Sequence, residues 1–141
     1  HLQYERNTMR LQLALNVRNI DEAICFYTEM FGTGPAKTKP GYANFAIENP
    51  PLKLVLFEAA NGVNFEHLNH LGVEVQSAAK VRSAASGIET TGVDTAACCF
   101  AEKTETWVAS PDNVRWEWYV KTGDTGQMEH IAVNTAGVCS G

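Results

Sequence analysis

Two stretches of this 141-residue chain resemble each other, and this similarity limits the possible folds more than any other feature. Residues 11–17 read LQLALNV and residues 69–75 read NHLGVEV, so that aligning Gln12 with His70 also aligns Val17 with Val75. Both alternate apolar and polar residues as half-buried strands do, and both run into a helical pattern. We infer an internal duplication, which predicts two similar folding units.

The predicted elements have the same order in both halves. In the first half, Asp21 is the candidate N-cap of a helix that Gly32 ends, and in the second half Ser77 and Gly87 have these roles. The predicted segments of the first half are a strand over 10–17, a helix to residue 31, a connector over 35–41, and strands over 42–48 and 52–58. Those of the second half are a strand over 70–75, a helix over 77–86, and strands over 95–101, 104–109 and 115–121.

This order predicts an α+β fold of paired βαβββ modules, over about residues 10–58 and 68–121. One helix covers only one face of a small sheet, so each module needs the other, and a cleft is expected between them. We expect a single domain over residues 10–121, between an N-terminal extension over 1–9 and an irregular tail over 122–141.

Composition excludes several classes of partner. The chain is 45% hydrophobic, which is enough for a core without disulfides, and its net charge of −5 argues against nucleic-acid binding. It has no basic amphipathic segment and no apolar run near the roughly 20 residues of a membrane span. Residues 1–8 lack the apolar centre of a signal peptide, so we expect a cytoplasmic protein with four reduced cysteines.

The motif N-H-L-G-V-E-V and the later S-P-D-x-x-x-W-E-x-Y, over residues 110–119, resemble the vicinal oxygen chelate superfamily. That superfamily includes glyoxalase I, extradiol dioxygenases, fosfomycin-resistance proteins and bleomycin-binding proteins. The resemblance covers residues 10–121, and it implies paired βαβββ modules that form a half-open barrel around a divalent metal.

Other segments resemble one group within that superfamily more closely. They are LQLALNV, PGYANFAI, PPLKLVLFE, LNHLGVEV and CCFA, and they look like the organoarsenical carbon–arsenic lyases and the related cadmium-induced proteins. This resemblance implies an enzyme that uses non-haem Fe(II) and O2 to break the carbon–arsenic bond of trivalent methyl- or aryl-arsenicals. We also expect a homodimer.

The resemblance assigns the metal ligands to Gln12, His70 and Glu117, and a catalytic role to His70 and Glu117. An imidazole, a carboxylate and an amide oxygen suit a borderline divalent ion such as Fe(II). A carboxylate between two tryptophans is costly unless it is paired or metal-bound. Taken alone, a histidine at a strand start such as His70 is more often a hydrogen-bonded core residue than a metal ligand. His67 is a rival that faces the other side of a regular strand. Glu58 is a weaker candidate for a fourth ligand, so we favour three ligands over the glyoxalase I set.

The adjacent Cys98 and Cys99 are the candidate substrate-binding residues. As(III) and Cd(II) are soft ions and thiolates are soft donors. Neighbouring residues of a flat strand face opposite sides, so convergence of these two thiols requires an irregular backbone between Asp94 and Glu105. The alternative is a pair of small buried cysteines.

Three functions therefore remain open from the sequence. The first is the Fe(II)-dependent dioxygenase acting as a carbon–arsenic lyase. The second is a non-catalytic protein that sequesters Cd(II) or As(III) with the same thiolates. The third is a metal-dependent thiol transferase of the fosfomycin-resistance type. Such an enzyme needs positive charge in the cleft, and the sequence has little positive charge near the ligand strands.

Overall fold

The computed structural model describes residues 9–85, 90, 92–98 and 101–123, except for the side chains of 84, 85, 94–98, 101, 102 and 123. The elements of the first half are β1 (Arg10–Val17), α1 (Ile20–Phe31), β2 (Lys37–Lys39), β3 (Tyr42–Glu48) and β4 (Pro51–Glu58). Those of the second half are β5 (Leu68–Glu74), α2 (Ala78–Ala85), β6 (Asp94–Cys98), β7 (Ala101–Ala109) and β8 (Arg115–Gly123). The predicted β-α-β-β-β order therefore occurs twice.

The described residues form two compact units. The α1 unit contains residues 12–70, and the α2 unit contains residues 9–11 together with the described residues from 71 onward. Neither helix is long and apolar enough to cross a membrane, and these are the helices of the described part of the chain.

The α1 unit is a sheet with the strand order β2-β3-β4-β1, covered by α1. Strands β2, β3 and β4 are antiparallel, with Phe45 opposite Leu54 and Ala43 opposite Leu56. Both strands of the central pair are rich in apolar residues, and these bury a core against the apolar side of the helix. The buried core consists of Ile24, Ala43, Phe45, Ile47, Leu54 and Leu56.

Helix α1 begins two residues earlier than the predicted cap implied. The Asn19 side chain accepts a hydrogen bond from the Glu22 backbone N–H at 2.9 Å, and Asn19 has extended dihedral angles. Asn19 is therefore the N-cap, and the prediction of Asp21 is wrong: Asp21 lies inside the first turn, where its charge suits the helix dipole. The other end is as predicted, because Gly32 adopts φ 70° and its N–H donates to the Thr28 carbonyl.

The α2 unit has the strand order β5-β8-β7-β6. Strand β5 pairs in parallel with β8, from Leu71 opposite Trp116 to Glu74 opposite Tyr119, and the β8-β7 and β7-β6 pairs are antiparallel. Helix α2 contacts β7 and β8. The Lys80 backbone N–H donates to Ser77 Oγ at 3.3 Å, which agrees with the predicted cap.

Several strand boundaries differ from the predictions, most of them by one or two residues. The short β2 lies within the predicted connector over 35–41. The predicted strand over 95–101 ends at Cys98, and the next strand begins at Ala101, which pairs with Cys98. The apolar run Ala96–Ala101 carries no turn residue, so the period alone could not reveal a hairpin there. Gly87, the predicted end of α2, lies outside the described residues.

Candidate active site

Two of the three predicted metal ligands contact each other in the α1 unit. Gln12, on β1, is 5% exposed, and His70, on β5, is 6% exposed. Gln12 Nε2 lies 3.0 Å from His70 Nε2. Gln12 lies on the buried face of β1 with Arg10 and Ala14, and His70 lies on the buried face of β5 with Gly72. Strand alternation therefore places both side chains on buried faces.

A chain of amide side chains determines which His70 nitrogen carries the proton. Asn16 Nδ2 donates to the Glu66 carbonyl, and Asn69 Nδ2 donates to Asn16 Oδ1 at 2.9 Å. The Asn69 oxygen therefore faces His70 Nδ1, 2.7 Å away, and accepts a hydrogen bond from it. This places the proton on Nδ1 and the lone pair on Nε2, the tautomer that a metal-binding histidine needs.

The two rival ligands occupy other positions. His67 is exposed, and its ring lies edge-on to Phe65 at 5.7 Å between centroids. Glu58 is also exposed, and its Oε2 accepts a hydrogen bond from the Ile20 backbone N–H at 2.9 Å. Glu58 thus satisfies a free N–H at the start of α1, and this is a structural role.

The third predicted ligand, Glu117, lies in the α2 unit and is 1% exposed. It is opposite Trp107 in the β7-β8 ladder. Lys103 Nζ forms an ion pair with Glu117 Oε2 and lies 3.6 Å from Glu105 Oε1. Residues 103, 105 and 107 alternate on one face of β7, so the strand period brings their side chains to the same side as Glu117.

The pKa of the Glu105 carboxyl group is raised above its usual range. Burial raises the pKa of Glu105, and its hydrogen bond with Glu117 and the charge of Glu117 raise it further. The hydrogen bond that Trp107 Nε1 donates to Glu105 Oε2 at 2.8 Å, and the charge of Lys103, oppose this rise. Glu105 and Glu117 are therefore two neighbouring carboxyl groups beside one ammonium group.

The predicted thiolate pair falls largely outside the described residues. Cys98 is the last residue of β6, but its side chain and the whole of Cys99 are not described, and Cys139 also lies outside. The backbone around the pair is irregular in one respect, because the β7-β8 register shifts between Glu102 and Lys103. The expectation that all four cysteines are reduced is wrong for Cys25, which is partly buried and disulfide-bonded.

Sequence reasoning missed the roles of Asn69, Lys103 and Glu105. Asn69 directly precedes His70, and an amide next to a candidate ligand is a signal that could have indicated a hydrogen bond to the ring. The alternation Lys103, Glu105, Trp107 likewise places two charges on one face of a strand, which could have indicated a paired cluster. Neither signal identifies the other group in the cluster, since Asn16 lies 53 residues from Asn69 and Glu117 lies on a different strand from Lys103.

The predicted ligands are of donor types that suit a divalent metal. His70 offers a neutral imidazole nitrogen, Gln12 an amide, and Glu117 a buried carboxylate that already attracts a cation. Among the described residues, no three His, Cys, Asp or Glu side chains form a cluster that could hold a metal. A predicted set in which one ligand is glutamine does not require such a cluster.

Comparison with known proteins identifies the relatives of the chain. Residues 10–118 match the family model of the Glyoxalase/Bleomycin resistance protein/Dioxygenase superfamily. The chain is 51% identical to a trivalent organoarsenical cleaving enzyme of Thermomonospora curvata, over 84% of the chain and 82% of that protein. It is 47% identical to the cadmium-induced protein CadI of Mycobacterium bovis, over 82% of the chain and 78% of that protein.

A solved structure shows the same fold. The Mn(II)-bound glyoxalase from Novosphingobium aromaticivorans superposes with a TM-score of 0.58 at 15% identity. The match covers 84% of this chain and 42% of that one.

Proposed function

The chain belongs to the Glyoxalase/Bleomycin resistance protein/Dioxygenase superfamily and has the vicinal oxygen chelate fold, and on this basis we propose that it cleaves the carbon–arsenic bond of trivalent organoarsenicals. The reaction would use Fe(II) and O2 and release inorganic arsenite. The 51% identity to a trivalent organoarsenical cleaving enzyme supports the choice of substrate.

The observation that carries the proposed metal chemistry is the orientation of His70. A buried imidazole that donates from Nδ1 to Asn69 keeps the Nε2 lone pair for a ligand, and it meets the Gln12 amide within the same unit. A core histidine with only a packing role does not need the two side-chain amides and the backbone carbonyl that are aligned behind His70. We therefore propose His70 and Gln12 as metal ligands, and Glu117 as the carboxylate ligand.

Each protein group has a separate task in this proposal. When bound, the metal would supply Lewis acidity and activation of O2. His70 and Glu117 would hold it, and Asn69 would keep the imidazole in the required tautomer. Cys98 and Cys99 would bind As(III) through two sulfur atoms, so that the third bond of arsenic, to carbon, is presented for oxidation.

The test is the release of arsenite from methylarsenite by Fe(II)-loaded protein, in air and under argon. We expect release in air and none under argon. Cys98→Ser and Cys99→Ser should each reduce release to the background level, because one thiolate cannot hold As(III) by two bonds. Full activity of both cysteine-pair variants would exclude the thiolate role.

A second function is favoured by the similarity to the cadmium-induced protein. In this alternative the thiolates sequester Cd(II) or As(III) and no bond is broken. Binding of methylarsenite under argon, combined with no O2 consumption and no arsenite release in air, would select this alternative. O2 consumption that matches arsenite release would reject it.

A further inference from the structure

Lys103 is an unusual residue to find in the interior of the α2 unit. It is 6% exposed, although lysine is rarely buried without a partner. Its Nζ forms an ion pair with Glu117 and lies 5.1 Å from the centre of the Tyr119 ring. The buried Glu117 carboxylate therefore has a cation supplied by the chain itself, and this offsets the cost of removing that carboxylate from water.

Glu105 is placed to receive the same ammonium group. Its Oε1 lies 3.6 Å from Lys103 Nζ, so a small movement of the flexible lysine side chain would bring the two into direct contact. The Glu105 carboxylate is held from its other oxygen, because Trp107 Nε1 donates to Oε2 at 2.8 Å. Two carboxylates thus flank one lysine, and the lysine forms its closer contact with the one proposed as a metal ligand.

Lys103 contacts one oxygen of Glu117, Oε2, and a metal ion on that same oxygen would compete with it. Both are cations, and they repel each other at short distance in a buried site. A divalent ion that binds Glu117 through Oε2 must therefore displace Lys103. The displaced ammonium group also cannot remain buried without a counter-charge.

We propose that Lys103 is the resident counter-cation of Glu117 and moves to Glu105 when a divalent metal binds Glu117. This inference rests on the proposed role of Glu117 as a metal ligand. Lys103 and Glu105 are then positioning residues that set the affinity of the site. Lys103 keeps the metal-free site intact and lowers metal affinity, whereas Glu105 raises affinity by accepting the displaced lysine.

The experiment measures the affinity of purified full-length protein for Fe(II) under argon, and for Mn(II), by competition with a chromogenic chelator. Lys103→Gln should bind metal about tenfold more tightly, a typical size for coupling between two binding events. Glu105→Gln should bind about tenfold more weakly. The matched controls Lys80→Gln and Glu48→Gln remove the same charges from exposed positions and should bind like the wild type.

A double-mutant cycle separates the exchange from a plain charge effect. If Glu105 acts only by receiving Lys103, then Glu105→Gln has no effect in the Lys103→Gln background. If Glu105 acts directly on the metal, the loss is the same in both backgrounds, and the exchange is overturned. Wild-type affinity in Lys103→Gln also overturns it.

Two further results complete the test. If the Lys103→Gln variant does not fold, the Lys103→Arg variant is used for the test. A permanently charged guanidinium that binds carboxylates with two parallel hydrogen bonds should weaken metal binding, and unchanged affinity overturns the exchange.

If wild type binds metal and Glu117→Gln does not, the proposed site stands whatever the Lys103 variants show. If wild type fails to bind metal, both proposals fail.

Discussion

At the scale of single residues, the orientation of His70 depends on an amide that directly precedes it. Asn69 is held by Asn16, and Asn16 is held by the Glu66 carbonyl, so that only the oxygen of Asn69 faces the ring. Groups behind a metal ligand commonly control affinity through orientation and tautomer, with losses of about 10–100-fold when they are removed. The metal affinity that His70 provides is therefore expected to depend also on Asn69, which would not contact the metal itself.

Replacing Asn69 tests this dependence. Asn69→Ala should weaken Fe(II) or Mn(II) binding by about 10–100-fold, because the Nδ1 proton loses its acceptor and the tautomer is no longer fixed. Chelator competition measures the affinity, and nitrogen NMR of labelled histidine reports which ring nitrogen is protonated in the metal-free protein. Asn61→Ala, in an exposed turn, is the control. An unchanged tautomer in Asn69→Ala would contradict the proposed hydrogen-bond chain.

At the scale of elements, the ends of helices and strands position the candidate residues. Helix α1 is fixed at its start by Asn19 from the preceding loop and by Glu58 from the end of β4. Strand β7 carries Lys103, Glu105 and Trp107 on one face, and its register against β8 places Trp107 opposite Glu117. The charged cluster therefore depends on register, since a slip of one residue would turn these side chains to the other face.

The corrected N-cap gives a prediction at this scale. Asn19→Ala should lower the free energy of unfolding by about 1 kcal/mol, because the Glu22 N–H loses its side-chain acceptor. Asp21→Ala should cost less, about 0.3–1 kcal/mol, because it removes only a favourable charge in the first turn. Urea unfolding of both variants measures the difference. A larger loss for Asp21→Ala than for Asn19→Ala would contradict the assigned cap.

At the scale of the whole molecule, the duplicated βαβββ order gives the superfamily fold. The partly buried carboxyl group of Glu105 makes the stability of this fold depend on pH. The pKa of Glu105 in the folded protein lies above its ordinary value of 4.5. The folded state therefore binds this proton more tightly than the unfolded chain does. The resulting contribution to stability is complete below pH 4.5 and is lost as pH rises through the raised pKa.

Glu105→Gln should remove this dependence. The melting temperature of the variant, measured in a chelator, should rise relative to that of the wild type as pH increases above 4.5, because the amide cannot lose a proton. Glu48→Gln, which removes an exposed carboxylate, gives the reference for a change of charge alone. A melting-temperature difference between Glu105→Gln and wild type that stays constant from pH 4 to pH 8, roughly the range of carboxylate and histidine titration, would contradict the raised pKa.

The sequence predicted most of the architecture, because the period of apolar residues is a local property. The duplication, the order of the elements, Gly32 and Ser77 could all be read from neighbouring residues. Burial of Gln12 and His70 followed from the same alternation. The hairpin within residues 94–109 could not be predicted, since the apolar run there contains no turn residue. The N-cap could not be predicted either, since Asn19 and Asp21 are both residue types that cap helices.

The roles of Asn16, Lys103 and Glu105 were decided only by the tertiary structure. Asn16 reaches Asn69 across 53 residues of sequence, and Lys103 reaches Glu117 between two different strands. Such pairs depend on the register between strands and on which polar groups become buried away from water. Neighbouring residues in the sequence determine neither the register nor this burial. The sequence by itself thus determined the elements and the candidate ligands. Tertiary contacts determined the protonation of His70 and the cation beside Glu117.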